Sequence, residues 1–296
     1  MDGIGVVVVT YNRLEKLKRA LEAYEKQSKR PDYIVVVNNS SSDGTKEYIE
    51  QWKKGQDDIL RYTVTLDENM GGSGGFYEGL KIAKGLEAKW IFVADDDAYA
   101  DTKAIELLEK YIEKLDEQKI SAICGSVWIN GEIDVWHRRI LMKKGITYEK
   151  KVSIEEYKKD IFEMDIFSYV GTALSKEALL QVGLPQRDYF IAYDDSEHSF
   201  RMRNYGKIYC VPAIKIVHDA EQDNSITWKT YYGIRNKIHA YKKHAGKTQA
   251  KIQSLYYLIR FGIKGKKERS LVKQAVYDAW QDNLGVNKCY KPGWKG

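Results

Sequence analysis

Apolar and polar positions alternate between two periods over the first hundred residues. Ile4 to Val9 is a short, largely β-branched run that ends at Thr10-Tyr11-Asn12, and Leu14, Leu17, Leu21 and Tyr24 then recur at helical spacing. The unit repeats. Tyr33 to Val37 predicts a second strand, Asn38 to Thr45 a polar loop, and Tyr48, Ile49 and Trp52 a helix. A third strand over Leu60 to Leu66 leads into a glycine-rich stretch at 69–75, a helix from Phe76 to Leu86, and a buried strand from Trp90 to Ala94. Strands alternating with helices predict an α/β fold with a mostly parallel sheet and right-handed crossovers. Beyond it we expect a helix from Asp101 to Gln118, a strand over Ile120 to Trp128 and another over Phe162 to Gly171. Helices over Lys176 to Val182 and Glu197 to Tyr205 and a strand over Ile208 to Val217 follow. The charged segment 130–159 has no clear period. From Trp228 the pattern is helical almost to the end, with a break at 262–266, which divides the chain into an α/β region, 1–225, and a basic helical extension, 226–296.

A chain of 296 residues with 43% hydrophobic positions can bury one sizeable core. Its longest apolar runs fall far short of the roughly 20 residues that span a bilayer. Met1-Asp2-Gly3 leads directly into the first strand without a basic segment, longer apolar stretch or cleavage site, so a cytoplasmic location is expected. Cys124, Cys210 and Cys289 lack paired spacing and read as small core residues rather than as a disulfide or zinc framework. The formal charge of +6 is modest, but lysine and arginine crowd residues 229–273.

Open α/β sheets bind ligands beyond the carboxyl ends of their strands, where the three polar loops must converge. The most pointed chemistry there is Asp95-Asp96-Asp97. Adjacent carboxylates raise one another's pKa unless an oxygen-seeking cation, Mg²⁺ or Mn²⁺, sits among them. Alternation along an extended chain turns Asp95 and Asp97 one way and Asp96 the other. A solvated acidic turn or a cap for the following helix is the competing reading. The Gly71-Gly72-Ser73-Gly74-Gly75 stretch permits close backbone approach to a phosphate or sugar and opens a helix. It matches neither the phosphate loop of nucleoside triphosphatases nor the dinucleotide fingerprint, and a flexible turn is the alternative. Tyr193-Asp194-Asp195-Ser196-Glu197 either complements a helix dipole or, flanked by Tyr189 and Phe190, holds a partly desolvated carboxylate able to deprotonate an alcohol. His218, at the end of a strand, is either structural or a nitrogen ligand completing a site begun by two aspartates.

Together these residues resemble the inverting glycosyltransferases of family 2, which have the GT-A fold. Val7 to Arg13 is similar to the family's first nucleotide-contacting strand and loop, Val37 to Thr45 to its second, Asp95-Asp96-Asp97 to its metal motif, and Asp194-Asp195-Ser196-Glu197 with Arg201 to its acceptor-side motif. The resemblance implies nucleotide contacts from Thr10, Tyr11, Asn12, Arg13, Asn38, Asn39, Asp43 and Asp96. It also implies a donor-sugar site at Gly71, Gly72, Ser73, Gly74 and Asp194, metal ligation by Asp95, Asp97 and His218, and Asp195 as general base. The implied cofactor is Mn²⁺ or Mg²⁺. The implied reaction moves a sugar from a UDP- or dTDP-linked donor to a glycan or lipid-linked acceptor in surface polysaccharide synthesis. Asn69 to Phe76 with Asp95 to Ala98 is most similar to galactofuranosyltransferases and related bacterial enzymes, which include rhamnosyltransferases using dTDP-rhamnose. Asn38 departs from the aspartate common at its position, and an amide both donates and accepts, so base recognition is expected to differ in detail. The Gln-x-x-Arg-Trp motif of processive synthases is missing, which implies addition of one or a few sugars.

Two other classes compete. A nucleotidyltransferase also uses strand-end aspartates, a glycine-rich loop and a metal, whereas a binding module for sugar or nucleic acid would account for the basic, aromatic C-terminal region. Acidic triplets at the ligand edge speak against a phosphate-backbone binder, and no nucleic-acid partner is expected. Tyr231 to Lys237 and Tyr256 to Phe261 interleave aromatics with cations. Helix packing, a homo-oligomer contact, or attraction to an anionic membrane at the inner face of the cell would each use that composition.

Overall fold

Helices cover both faces of one sheet because its central strands are apolar on both sides. The computed structural model describes residues 3–55, 58–115, 118–142, 148–220 and 225–295. In chain order the first half runs β1 (Ile4–Thr10), α1 (Leu14–Glu25), β2 (Tyr33–Asn38), α2 (Thr45–Trp52), β3 (Leu60–Thr65), α3 (Gly71–Ala83), β4 (Trp90–Asp95), β5 (Ala98–Ala100) and α4 (Ala104–Lys114). It continues with β6 (Ile120–Ile129), β7 (Glu132–Ile133), β8 (Arg138–Leu141), β9 (Glu149–Lys151), β10 (Phe162–Met164), β11 (Ile166–Phe167), β12 (Thr172–Ser175), α5 (Lys176–Val182), α6 (Asp194–Tyr205) and β13 (Lys207–His218). Three C-terminal helices follow: α7 (Trp228–His244), α8 (Lys247–Gly262) and α9 (Lys266–Trp280).

The main sheet has the order β10-β13-β6-β12-β4-β1-β2-β3. Strands β3, β2, β1 and β4 are parallel, as the alternating pattern predicts. The sheet is mixed beyond them, because β12 inserts antiparallel between β4 and β6. Every residue of β1 and β2 is buried, whereas β3 at the edge is exposed or half-buried throughout. That contrast is the mark of parallel strands covered on both faces. Leu17, Leu21 and Tyr24 of α1 and Ile105, Leu108 and Ile112 of α4 fill one face. Phe76 and Leu80 of α3, with Leu179 and Met202, fill the other.

Three sequence expectations are modified. The glycine-rich stretch is no loop: α3 begins at Gly71, so Gly71, Gly72, Ser73 and Gly74 form its first turn. The reason is packing, since a Cβ at Gly75 would lie 2.4 Å from the Val9 side chain; glycine lets the helix lie close on β1. The expected strand over 162–171 is two short strands, β10 in the main sheet and β11 in a small second sheet ordered β11-β8-β9. The segment without a clear period contributes β8 and β9 to that second sheet; its residues 143–147 lie outside the described residues, as do 116–117 near the expected end of α4 and 221–224 beside the expected division at 225.

Arg138 starts β8 and is fully buried. Its guanidinium donates to the carbonyls of Gly125 at 3.0 Å, Val170 at 2.8 Å and Gly171 at 3.2 Å, and to the Ser168 hydroxyl at 3.2 Å. One side chain thereby ties the second sheet to β6 and to the turn before β12. Arg138→Met keeps the bulk but strands the Val170 carbonyl and leaves the Gly125 carbonyl only the weak Cys210 thiol, while Gly171 O keeps the Gly125 N–H and Ser168 keeps His137; each buried group left without a good partner costs about 1–3 kcal/mol. A loss of at least about 3 kcal/mol is expected, read as a drop in Tm of roughly 6 °C or more; an unchanged melting curve would mean that water takes over the carbonyls.

Candidate active site

The site forms where β1, β4 and β13 end together. Register puts Asp95 beside Val9, and the Asp96 N–H donates to the Val9 carbonyl at 3.2 Å. The short β5 then runs antiparallel to the end of β13, pairing Ala98 with His218. A histidine some 120 residues away in sequence thus comes to lie beside the aspartate triplet, with His218 Nε2 3.4 Å from an Asp97 oxygen. Asp95, Asp97 and His218 each offer one ligand atom, and these atoms lie within 4.8 Å of one another. Asp96 faces away: it accepts from the Thr10 hydroxyl at 2.6 Å and pairs with Arg13 at 2.7 Å. Arg13 also bridges to Asp97.

Burial pushes Asp95 up to about 6, with Asp97 adding to the shift, while His218 and Arg13 oppose it. Burial likewise raises Asp96 to about 7 against the pull of Arg13. Asp97 moves down: burial works against ionisation there, but hydrogen bonding from His218 and the charge of Arg13 more than offset it. Among the described residues His218 Nδ1 is buried without a hydrogen-bond partner. Two carboxylates suit an oxygen-seeking cation such as Mn²⁺ or Mg²⁺, and an imidazole with an unused nitrogen favours the softer Mn²⁺ of the two. The residues present therefore fit a divalent cation, and Asp95, Asp97 and His218 would hold it.

The two polar loops interlock. The Asn12 N–H donates to the Ser41 hydroxyl at 2.9 Å, and the Ser42 N–H donates to Asn12 Oδ1 at 2.7 Å. Asp43 accepts from the Leu14 N–H at 2.9 Å and the Thr45 N–H at 3.3 Å, so one carboxylate serves the starts of both α1 and α2. Tyr11 and Asn12 are exposed, as is much of Arg13. Asn38 and Asn39 are buried and spend their amides inside the chain. Asn38 Oδ1 accepts from the Ser41 N–H at 3.0 Å; Asn39 accepts from the Met70 N–H and donates to the Gly71 carbonyl, both at 2.8 Å.

That last pair links the second loop to α3, and α3 in turn supports the acidic loop. The Ser73 N–H donates to the Phe190 carbonyl at 3.1 Å. Phe190 has φ 65° and ψ −62°, and the Ile191 N–H donates to the Tyr189 carbonyl at 2.8 Å. This is the rarer, positive-φ form of the γ-turn. Ala192 and Tyr193 also have positive φ, at 66° and 71°. Such conformations cost of order 1–3 kcal/mol each and persist only when their surroundings hold them. Helix α7 does so here: the Asn236 amide donates to the carbonyls of Tyr189 at 3.0 Å, Ile191 at 3.0 Å and Ala192 at 2.8 Å, and the Arg235 guanidinium donates to Tyr189 O at 3.1 Å.

Immediately after this loop, Asp194 and Asp195 open α6. Burial, with repulsion from Asp195, raises Asp194 well above the usual carboxylate range. Asp195 is raised by burial too, against the pull of Arg139, and it accepts from the Ser196 hydroxyl at 2.9 Å. Arg139 donates to that same hydroxyl at 2.6 Å. Asp195 also adds to the upward push on Asp95, as Asp95 does to that on Asp194. Arg139, Arg235 and Asn236 were not singled out from sequence. The first lies in the segment without a period; the other two fall in a helical run whose buried polar side chains are the only cue.

Helix α6 is itself anchored. Glu197 binds Arg201 and accepts from His244 at 2.9 Å. Buried His198 donates from Nε2 to the Gly183 carbonyl at 3.1 Å and meets the Tyr169 hydroxyl through Nδ1 at 2.8 Å. Burial, reinforced by Arg201, lowers its pKa from 6.5 to about 3. The folded value lies below the unfolded one, so the neutral ring's contribution is complete above pH 6.5 and is lost as pH falls. About 3 kcal/mol should disappear by roughly pH 4.5. Urea unfolding across that interval should show a shallower pH slope in His198→Gln than in the wild type; equal slopes would remove the assignment.

A mixed α/β sheet with an aspartate triplet at a strand end, faced by an acidic helix start, is the GT-A architecture. Residues 5–183 match the model described as glycosyl transferase family 2, and the chain belongs to that family. It is 27% identical over 201 residues to galactofuranosyltransferase GlfT1 of Mycolicibacterium smegmatis, a match covering 68% of this chain and 65% of that one. It is also 26% identical over 256 residues to dTDP-rhamnosyl transferase RfbF of Shigella flexneri, covering 82% and 81%. Among solved structures, S. aureus TarS 1-349 in complex with UDP-GlcNAc superposes with a TM-score of 0.61 at 15% identity, over 94% of this chain and 81% of that one. No described helix is long and apolar enough to cross a membrane.

Proposed function

We propose that the chain transfers a sugar from a nucleoside-diphosphate donor to an acceptor hydroxyl, with inversion at the anomeric carbon. The observation that carries this reading is the pairing of β5 with β13, which gathers Asp95, Asp97 and His218 at one strand end. Asp95, Asp97 and His218 would hold a divalent cation, which would supply positive charge against the departing diphosphate. The remaining work falls to the chain. Tyr11, Asn12 and Arg13 line the exposed end of β1 and receive the nucleoside, while Thr10, Asn38, Asn39 and Asp43 fix the shape of the two loops. Arg13 is held against Asp96 and Asp97 and stands ready for the phosphates. The first turn of α3, at Gly71 to Gly74, borders the donor sugar together with Asp194.

Asp195 takes the acceptor proton. The acceptor oxygen then forms its bond to the anomeric carbon as the bond from that carbon to the phosphate oxygen breaks, and the nucleoside diphosphate leaves with the electron pair. A carboxylate whose pKa is raised by burial is a better base than one in water.

UDP-galactofuranose is the donor favoured by the GlfT1 match, and a glycan or lipid-linked glycan is the acceptor. The RfbF match spans more of both chains and supports dTDP-rhamnose as the second reading. A nucleotide-release screen with Mn²⁺ across UDP- and dTDP-sugars decides between them. Release from one donor, abolished by EDTA, is expected. Release from none, together with no thermal shift by UDP or dTDP, would defeat the proposal.

A further inference from the structure

The outer face of α8 and the residue after it carry five exposed large apolar side chains within nine positions, 255–263. Ala250, Ser254 and Phe261 are buried on its inner face, where the Trp280 indole N–H of α9 donates to the Ser254 hydroxyl at 3.1 Å. At about 100° per residue, Leu255, Ile259 and Ile263 fall on the opposite side. They are 58%, 66% and 90% exposed, and Tyr256 and Leu258 beside them are exposed as well. Isolated apolar residues on a surface are ordinary, but a contiguous stripe of five is not.

Charge tells what would cover it. Residues 225–267 contain eleven lysines and arginines and no acidic residue. Arg260 borders the stripe on the helical wheel, Lys251 stands one turn before Leu255 on the same row, and Lys264, Lys266 and Lys267 follow at its end, all exposed. A second copy docked face to face would set these cations against their own counterparts. A convex aliphatic stripe bordered by long cationic side chains fits a surface that is apolar inside and anionic outside. We infer that α8 and the turn after it dock on an anionic lipid bilayer, with Leu255, Ile259 and Ile263 entering the acyl boundary and the flanking cations meeting headgroups. The helix lies in the membrane plane and is about 24 Å long. The inference stands apart from the transfer reading, since it uses no residue of the aspartate site.

Vesicle co-sedimentation without metal or donor tests it. Wild-type protein should bind vesicles holding roughly 30% phosphatidylglycerol at least about tenfold better than pure phosphatidylcholine, and salt should weaken that binding. Ile259→Glu/Ile263→Glu should lose about tenfold or more with an unchanged circular dichroism spectrum, and Lys264→Gln/Lys266→Gln/Lys267→Gln should also bind less well. Equal binding to both vesicle types, no binding, or undiminished binding by the double glutamate variant would overturn the inference. So would a wild-type dimer that Ile259→Glu dissociates in sedimentation velocity, because a second copy would then cover the stripe.

Discussion

Asp195→Asn should lower kcat by roughly 10²–10⁴ while leaving donor binding nearly unchanged. The substitution keeps the shape of the side chain and its acceptor oxygen toward Ser196, so the fold of α6 should persist. What it removes is the ability to take a proton, and burial has raised that ability in the wild type. The partners make the loss specific. Arg139 holds the Ser196 hydroxyl, which in turn donates to Asp195 Oδ1, so the carboxylate is oriented from behind, and in the proposed reaction its other oxygen meets the acceptor. Asp194→Asn should behave differently, because Asp194 is the more buried member and the one we propose borders the donor. Its main effect is expected in KM for the nucleotide sugar. Progress curves for both variants at saturating and limiting donor separate the two roles, and a fully active Asp195→Asn would remove the base.

Gly71→Ala should cost more than its one methyl group suggests. Gly71 has φ +69°, which disfavours any side chain, and a Cβ there would lie 1.8 Å from the carbonyl oxygen of Phe190. That distance cannot be met without moving backbone. The Phe190 carbonyl belongs to the γ-turn that leads into Asp194 and Asp195, and the loop from Phe190 to Tyr193 already carries three residues at positive φ. A displacement of about 1 Å at this point is expected to lower activity by about 10², as misplaced catalytic groups do. Stability should fall by a few kcal/mol, since left-handed backbone at alanine alone costs about 1–2 kcal/mol. Gly233→Ala in α7 is the control: nothing lies within 4 Å of its added methyl group, so activity should be retained. Full activity in Gly71→Ala would show that the turn does not position the acids.

The parallel half of the sheet is legible in the sequence because β1, β2 and β4 are covered on both faces and read as unbroken apolar runs ended by polar loops. The strand-end position of Asp95, Asp96 and Asp97 is legible for the same reason. What could not be read is whatever depends on contacts distant along the chain. His218 reaches Asp97 only because a three-residue strand, β5, folds back onto β13, and three residues are too few to show a period. The glycine-rich stretch reads as a loop from composition, yet it is helical because α3 must lie close on Val9 and leave room for Phe190. Segment 130–159 shows no period because its strands are short and turn on Arg138, an arginine whose partners are backbone carbonyls rather than carboxylates. Tyr231, Tyr232 and Arg235 read equally well as a basic aromatic surface, but they are buried, and Arg235 and Asn236 hold the loop that carries the acids.

The most direct test of the aspartate–histidine centre is Mn²⁺ binding followed by electron paramagnetic resonance, with and without UDP and dTDP. One Mn²⁺ per chain, bound more tightly with a nucleotide, lost in Asp97→Asn and weakened in His218→Ala but kept in Asp195→Asn, is the expected result. Binding that ignores both nucleotides and survives Asp97→Asn would contradict a site built from Asp95, Asp97 and His218 to hold a diphosphate.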